Sequence, residues 1–125
     1  MKESLRYLQN AKEILSKSGI EDNRYTDEKY VKSACGVAYL GVLKVIDEYL
    51  QKKGLIKKEL PKSVDAYREA LRKYLSIHNG KLLREFDTLY DELHIAGYYR
   101  GDLRHVDVVK AALKAAKGFI EKIRQ

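Results

Sequence analysis

The sequence is poor in the residues that cross-link or punctuate a chain: it holds one cysteine, one proline, eight glycines and no tryptophan in 125 residues. A single cysteine excludes an internal disulfide and a thiolate zinc cage. With so little proline and glycine and no serine-rich run, little room is left for linkers or disorder, and one domain spanning residues 1–125 is expected. No apolar run is long and uncharged enough to span a bilayer, because Lys44 and Asp47 interrupt the best candidate. The N-terminus starts directly with an amphipathic pattern and shows no signal-peptide core, so a cytoplasmic protein with no membrane partner is predicted. Phosphate-cradling glycine loops, dinucleotide fingerprints and nucleophile elbows are all missing. His78, His94 and His105 lack the spacing of a helical metal pair, so neither a metal site nor a cofactor is expected.

What is present is helical periodicity. Placed on a helix, the apolar positions of Tyr30–Leu50 cover about half the circumference, from Val31, Ala34 and Cys35 to Ile46 and Leu50. A surface helix shows a narrower stripe, so this stretch reads as the central helix of a bundle. Leu40 and Val37 fall outside the arc. Ala34, Ala38 and Gly41 lie near one edge, where a second helix can approach closely. Cys35 lies inside the arc and reads as an inert buried thiol.

The rest of the chain supplies partners for that helix. Residues 3–18 form an amphipathic helix with Leu5, Leu8, Ala11 and Leu15 on one face, and Gly19 follows it as a C-terminal cap. Residues 20–25, IEDNRY, read as a loop, after which Thr26 is expected to cap the central helix and Gly54 to end it. Ser63 caps a third helix after Pro61. Asn79-Gly80 breaks the pattern, and a fourth helix carries Leu82, Phe86, Leu89 and Leu93 on one side until Gly97. A fifth is expected from about Leu103 to Ile123, with Val106, Val108, Val109, Ala112, Leu113, Ala116, Phe119 and Ile120 inward. Lys110, Lys114 and Lys117 form a stripe on its other side. No alternation long enough for a strand is visible. The fold class is therefore all-α, an up-and-down bundle of four or five helices.

A formal charge of +7 favours acidic partners, with nucleic acid first among them. Lys52, Lys53, Lys57, Lys58 and Lys62 make the strongest local basic patch, either a solvated loop or a phosphate-backbone contact. The ten tyrosines fall mainly on or beside apolar faces, which suits core and interface packing.

Chemistry concentrates in the turn from His94 to His105. Asp102 is placed to cap the last helix, which would put His105 at its third helical position beside unpaired amides that attract anions. Arg100 stands two residues before that cap. Cation, imidazole and helix terminus at one corner describe a phosphate site, and Tyr98 and Tyr99 add stacking surface for a base. Arg104 is a further cation for nucleic acid. The alternative is that His105, angularly between Ala112 and Ala116, is a hydrogen-bonded core residue and the tyrosines a hydrophobic plug.

The element Arg100-Gly-Asp-Leu-Arg-His105 is an Arg-x4-His pattern at the start of the last long helix of a small helical bundle. In this it resembles the HEPN superfamily, and the resemblance follows the helix order over nearly the whole chain. Active members are metal-independent endoribonucleases, often toxins of toxin–antitoxin pairs, working as homodimers with both motifs facing one cleft. The resemblance implies that His105 acts as general base or acid on the ribose 2′-hydroxyl and that Arg100 stabilises charge on the phosphate. Other members bind nucleotides or accompany a partner protein without cleaving anything. The chain departs from the family pattern at Gly101, where members commonly carry Asn or Asp, and Asp102 comes one place late. Two function classes therefore stand open: a nuclease or RNA-binding protein using Arg100 and His105, and a silent interaction module that dimerises through tyrosine-rich faces.

Overall fold

The computed structural model describes residues 2–75 and 80–124. Its first element, α1 (Lys2–Leu15), buries Leu8, Ala11 and Leu15 and turns Arg6, Gln9 and Lys12 to solvent. The segment expected to be a loop is a tight β-hairpin, in which β1 (Ile20–Glu21) pairs antiparallel with β2 (Arg24–Tyr25). Asp22 and Asn23 between them take φ of 51° and 61°, the double left-handed turn whose twist matches paired strands. Strands of two residues are too short to show alternation, which is why the pattern reads as loop.

The central helix is α2 (Glu28–Lys52). Its N-cap is Asp27, whose carboxylate accepts from the Lys29 N–H at 3.3 Å, and not Thr26. Thr26 lies one residue outside the cap, its N–H donating to the Gly19 carbonyl. Gly54, at φ 105°, follows the last turn as expected. Val31, Val42, Val45, Ile46 and Leu50 are all fully buried. Full burial of one such side chain stabilises by roughly 1.5–3 kcal/mol. Leu40 is half exposed, as its angle on the helix dictates. The small-residue edge is where α1 lies: a Cβ at Gly41 would come within 2.9 Å of Tyr7 Cβ.

A single 3₁₀ turn (Lys57–Glu59) leads to α3 (Val64–Tyr74), capped by Ser63 Oγ accepting from the Ala66 N–H. The expected break at Asn79 and the isolated His78 lie outside the described residues; Gly80 itself is left-handed at φ 75°. From there α4 (Lys81–Leu89) buries Leu82, Phe86 and Leu89. It continues without interruption as a π-helical segment, Tyr90–Tyr99, rather than as one α-helix. The last helix, α5 (Val106–Arg124), starts three residues later than expected. Val108 is 45% exposed, because it faces away from the arc formed by Val109, Ala112, Leu113 and Ala116.

Pairings fix the directions. Tyr7 meets Gly41 while Ser18 Oγ accepts from the Asp27 N–H, so α1 runs against α2. Gly97 meets Cys35 and His94 stacks on Tyr39, so the π segment also runs against α2. Ile120 reaches Gly41 while Arg104 reaches Tyr25, so α5 returns alongside α2. Among the described residues the molecule is an all-α, up-and-down bundle around α2 with one small hairpin at an end.

Candidate functional site at the end of the bundle

The residues singled out in the sequence lie on the loop between the π segment and α5, and the π segment sets their positions. Bonding from each N–H to the carbonyl five residues back widens the turn, so side chains four apart come nearly into line. Tyr90, His94 and Tyr98 are such a set. Their rings follow one another at 5.5 and 6.0 Å with interplanar angles of 27° and 15°. Tyr39 of α2 stacks on His94 at 4.9 Å. His94 is thereby a rung in an aromatic column. Burial pushes the Tyr39 hydroxyl up to about 12, and the nearby Tyr90 adds to the shift. The column ends at Tyr98, whose ring lies on Gly36: a Cβ there would sit 2.8 Å from Tyr98 Cδ1. One face of Tyr98 is thus fixed and half of the residue is open. Tyr99 beside it is 73% exposed.

The π segment closes with the Arg100 N–H donating to the Ile95 carbonyl at 2.9 Å and the Asp102 N–H to Ala96 at 2.8 Å. Gly101 between them is left-handed at φ 68°, and a Cβ on it would run into Glu28 Oε1 and crowd Lys32. The left-handed backbone is what favours glycine here, since the close neighbour is the tip of a flexible, half-exposed Glu28 side chain. Arg100 is exposed and, among the described residues, enters no ion pair.

Asp102 is not the cap of the last helix. Residues 101–104 are non-helical, and His105 forms an isolated antiparallel bridge with Arg24 of the hairpin. The Tyr25 N–H donates to the Arg104 carbonyl at 2.8 Å, and the Val106 N–H donates to Asn23 at 3.0 Å. Asn23 Nδ2 also donates to Asp107 at 3.2 Å. His105 therefore occupies the N-cap position, its carbonyl accepting the first helical bond from the Val109 N–H. Angles on the helix do not apply to a residue outside it, which removes the reading of His105 as a core residue: its side chain is exposed.

Arg104 is largely occupied in the framework. Its Nε donates to the Tyr25 carbonyl at 3.3 Å, and its Nη1 lies 3.9 Å from Glu28 Oε2. The hairpin instead supplies a cation that sequence reasoning passed over. Arg24 is exposed, forms no ion pair among the described residues, and lines a cleft of about 350 Å³ with Tyr25 and Arg104. The only sequence signal for it was the Asp22-Asn23 turn. The structure thus brings Arg24, Arg104 and His105 together. Arg100 stands at the opposite end of the same loop, and no hydrogen bond joins it to His105.

Elsewhere the titratable groups read as structural. Burial pushes the Cys35 thiol up to about 12, so it is an inert neighbour of Gly97. Asp47 accepts from the Tyr67 hydroxyl at 2.9 Å, and burial raises its carboxyl above the usual range. Among the described residues no group of three or more His, Cys, Asp or Glu is placed to hold a metal ion, and no helix is long and apolar enough to cross a membrane.

Similarity to other proteins is close and bears on the whole chain. A family model described as Domain of unknown function (DUF5618) matches residues 1–125. A solved structure of a protein of unknown function from Dyadobacter fermentans is 38% identical, covers 96% of this chain and 90% of its own, and superposes with a TM-score of 0.78. No curated protein matches.

Proposed function

The chain belongs to the DUF5618 family, and we propose that its loop from Tyr98 to His105, with Arg24, binds single-stranded RNA. The observation that carries this reading is the backbone bridge between Arg24 and His105, which sets two exposed residues, one cationic and one an imidazole, at paired positions. Arg24 and Arg100 supply phosphate contacts, and Tyr98 and Tyr99 supply stacking faces. The resemblance to HEPN proteins points the same way.

Metal-independent cleavage is the second reading, and the exposure of His105 is what favours it. An exposed imidazole can take a proton from a ribose 2′-hydroxyl, while Arg100 or Arg24 steadies charge on the phosphate. In that reading the protein acts as a homodimer. Half-exposed Leu40 and Tyr98 and the more exposed Tyr99 offer the apolar surface for a second copy or a partner protein.

The test is a binding titration with a fluorescent single-stranded oligoribonucleotide at several salt concentrations. Arg24→Ala and Arg100→Ala should each reduce the salt slope by about 0.7, the value for one lost phosphate contact on a single strand. His105→Ala should abolish cleavage and spare most of the binding. Wild-type protein that neither binds nor cleaves RNA, yet has the mass of a dimer by light scattering, would leave the interaction module in its place.

A further inference from the structure

A second concave surface lies along α1, α5 and the hairpin, sharing only Tyr25 with the cleft described above. It is a cleft of about 560 Å³, within the span of roughly 300–1,000 Å³ common for small-molecule sites. Its rim carries Lys12 from α1 and Lys110, Lys114 and Lys117 from α5. Three of these recur at four and then three residues, so they line one side of the helix over about 10 Å. Among the described residues no acidic side chain lines the cleft, and none of the four lysines enters an ion pair. The floor has the opposite character. Leu15 and Leu113, both nearly buried, provide it together with Ile20, which is 56% exposed.

The two serine hydroxyls in the lining are already engaged. Ser16 Oγ donates to the Glu13 carbonyl at 2.6 Å; Ser18 Oγ donates to Gly19 and accepts from the Asp27 N–H. The floor therefore offers aliphatic surface and few groups to read a nucleobase or sugar. Four unpaired cations above an aliphatic floor match a ligand that is anionic at one end and aliphatic along its body. We infer that this cleft binds a small amphiphilic anion of the fatty-acid class, its chain along Leu15 and Leu113 and its carboxylate among the α5 lysines.

The chain lies between two helices and is shielded by lysine stems, whose methylenes extend the apolar wall while their ammonium groups stay in water. Affinity should then depend on both ends of the ligand. Each buried methylene tightens binding by up to about fourfold.

The probe is decanoate, kept below its micellar concentration and titrated calorimetrically into the intact chain. Saturable one-to-one binding is expected, with hexanoate at least tenfold weaker and uncharged decanol also weaker. Lys114→Gln with Lys117→Gln should remove the preference for decanoate over decanol. Ile20→Asp should weaken both. Ser16→Trp, a change at an exposed position that fills the cleft, should block binding without altering the melting temperature, which covers the case in which another variant folds poorly. Three results overturn the inference: no binding of decanoate, equal binding of hexanoate and decanoate, or binding that the lysine changes leave untouched. A fourth does so too. If the lysine variant loses oligoribonucleotide binding and keeps decanoate binding, the stripe is a nucleic-acid track.

Discussion

Two glycines separate backbone need from helix habit. Gly101 is held left-handed against Glu28, whereas Gly118 lies inside α5 with nothing within 4 Å of where a Cβ would be. Gly101→Ala should destabilise by about 1–2 kcal/mol from the left-handed backbone. Gly118→Ala should stabilise by about 0.5–1 kcal/mol. Urea titration of the pair measures both, and equal effects would contradict the loop geometry. Asp47 carries a pH signature. Burial raises its folded pKa above the unfolded value, so the folded state holds more protons in the window between the two, and stability falls as pH rises through it. Asp47→Asn removes that cost. The variant should melt higher than wild type near neutral pH, and the gap should close towards pH 3. Cys35, with its thiol at about 12, should resist a thiol reagent at about pH 8 until the chain is unfolded.

Among the elements, α2 was the most legible. Its broad apolar arc, the exposed Leu40 and the close approach at Gly41 all follow from helical angle, because a long element averages over many positions. Ala38 is fully buried there, and Ala38→Phe should cost about 1–3 kcal/mol in a denaturant titration. The elements misread were short or set by distant contacts. Two-residue strands leave no period to detect, and the hairpin depends on Asp22 and Asn23 accepting left-handed backbone. The π segment was read as α because the four-residue spacing of Tyr90, His94 and Tyr98 fits either winding. The start of α5 was misplaced because Asp102 is a good local cap, and the tertiary pairing of residue 24 with residue 105 overrode it. The same pairing explains why Arg24 is not legible as a candidate residue: no local pattern links residues so far apart. Asn23→Val should force this turn out of its conformation and cost about 1–2 kcal/mol. In the oligoribonucleotide titration it should also weaken binding, and Asn23→Gly should restore it.

At the scale of the molecule, both candidate surfaces meet the hairpin and lie beside α5. Tyr25 lines both clefts. Its side chain is buried, and desolvation raises its hydroxyl pKa, so it serves as a wall between them and not as an acid or base. The loop end offers arginine, imidazole and open aromatic rings, and the α1–α5 side offers lysine above aliphatic floor. The exposed Lys52, Lys53, Lys57, Lys58 and Lys62 lie on a third face, the solvated connection after α2. Changing all five to glutamine should leave folding intact in a thermal melt. An unchanged salt slope in the RNA titration would confine phosphate contacts to the opposite end.

The hairpin bridge also has a meaning in time. It joins Tyr25 to Arg104 and Asn23 to Asp107, partners 79 and 84 positions apart in the chain. Closing so long a loop is entropically uphill until the intervening helices have docked, so these bonds belong among the last to form. On the ribosome, α1, the hairpin and α2 emerge well before residue 105 has been synthesised. Arg24 then waits without His105, and the cleft beside α1 waits without its second wall. A nascent chain that stops short of residue 105 therefore carries neither surface, and Arg24 gains its partner only once the start of the last helix has been made.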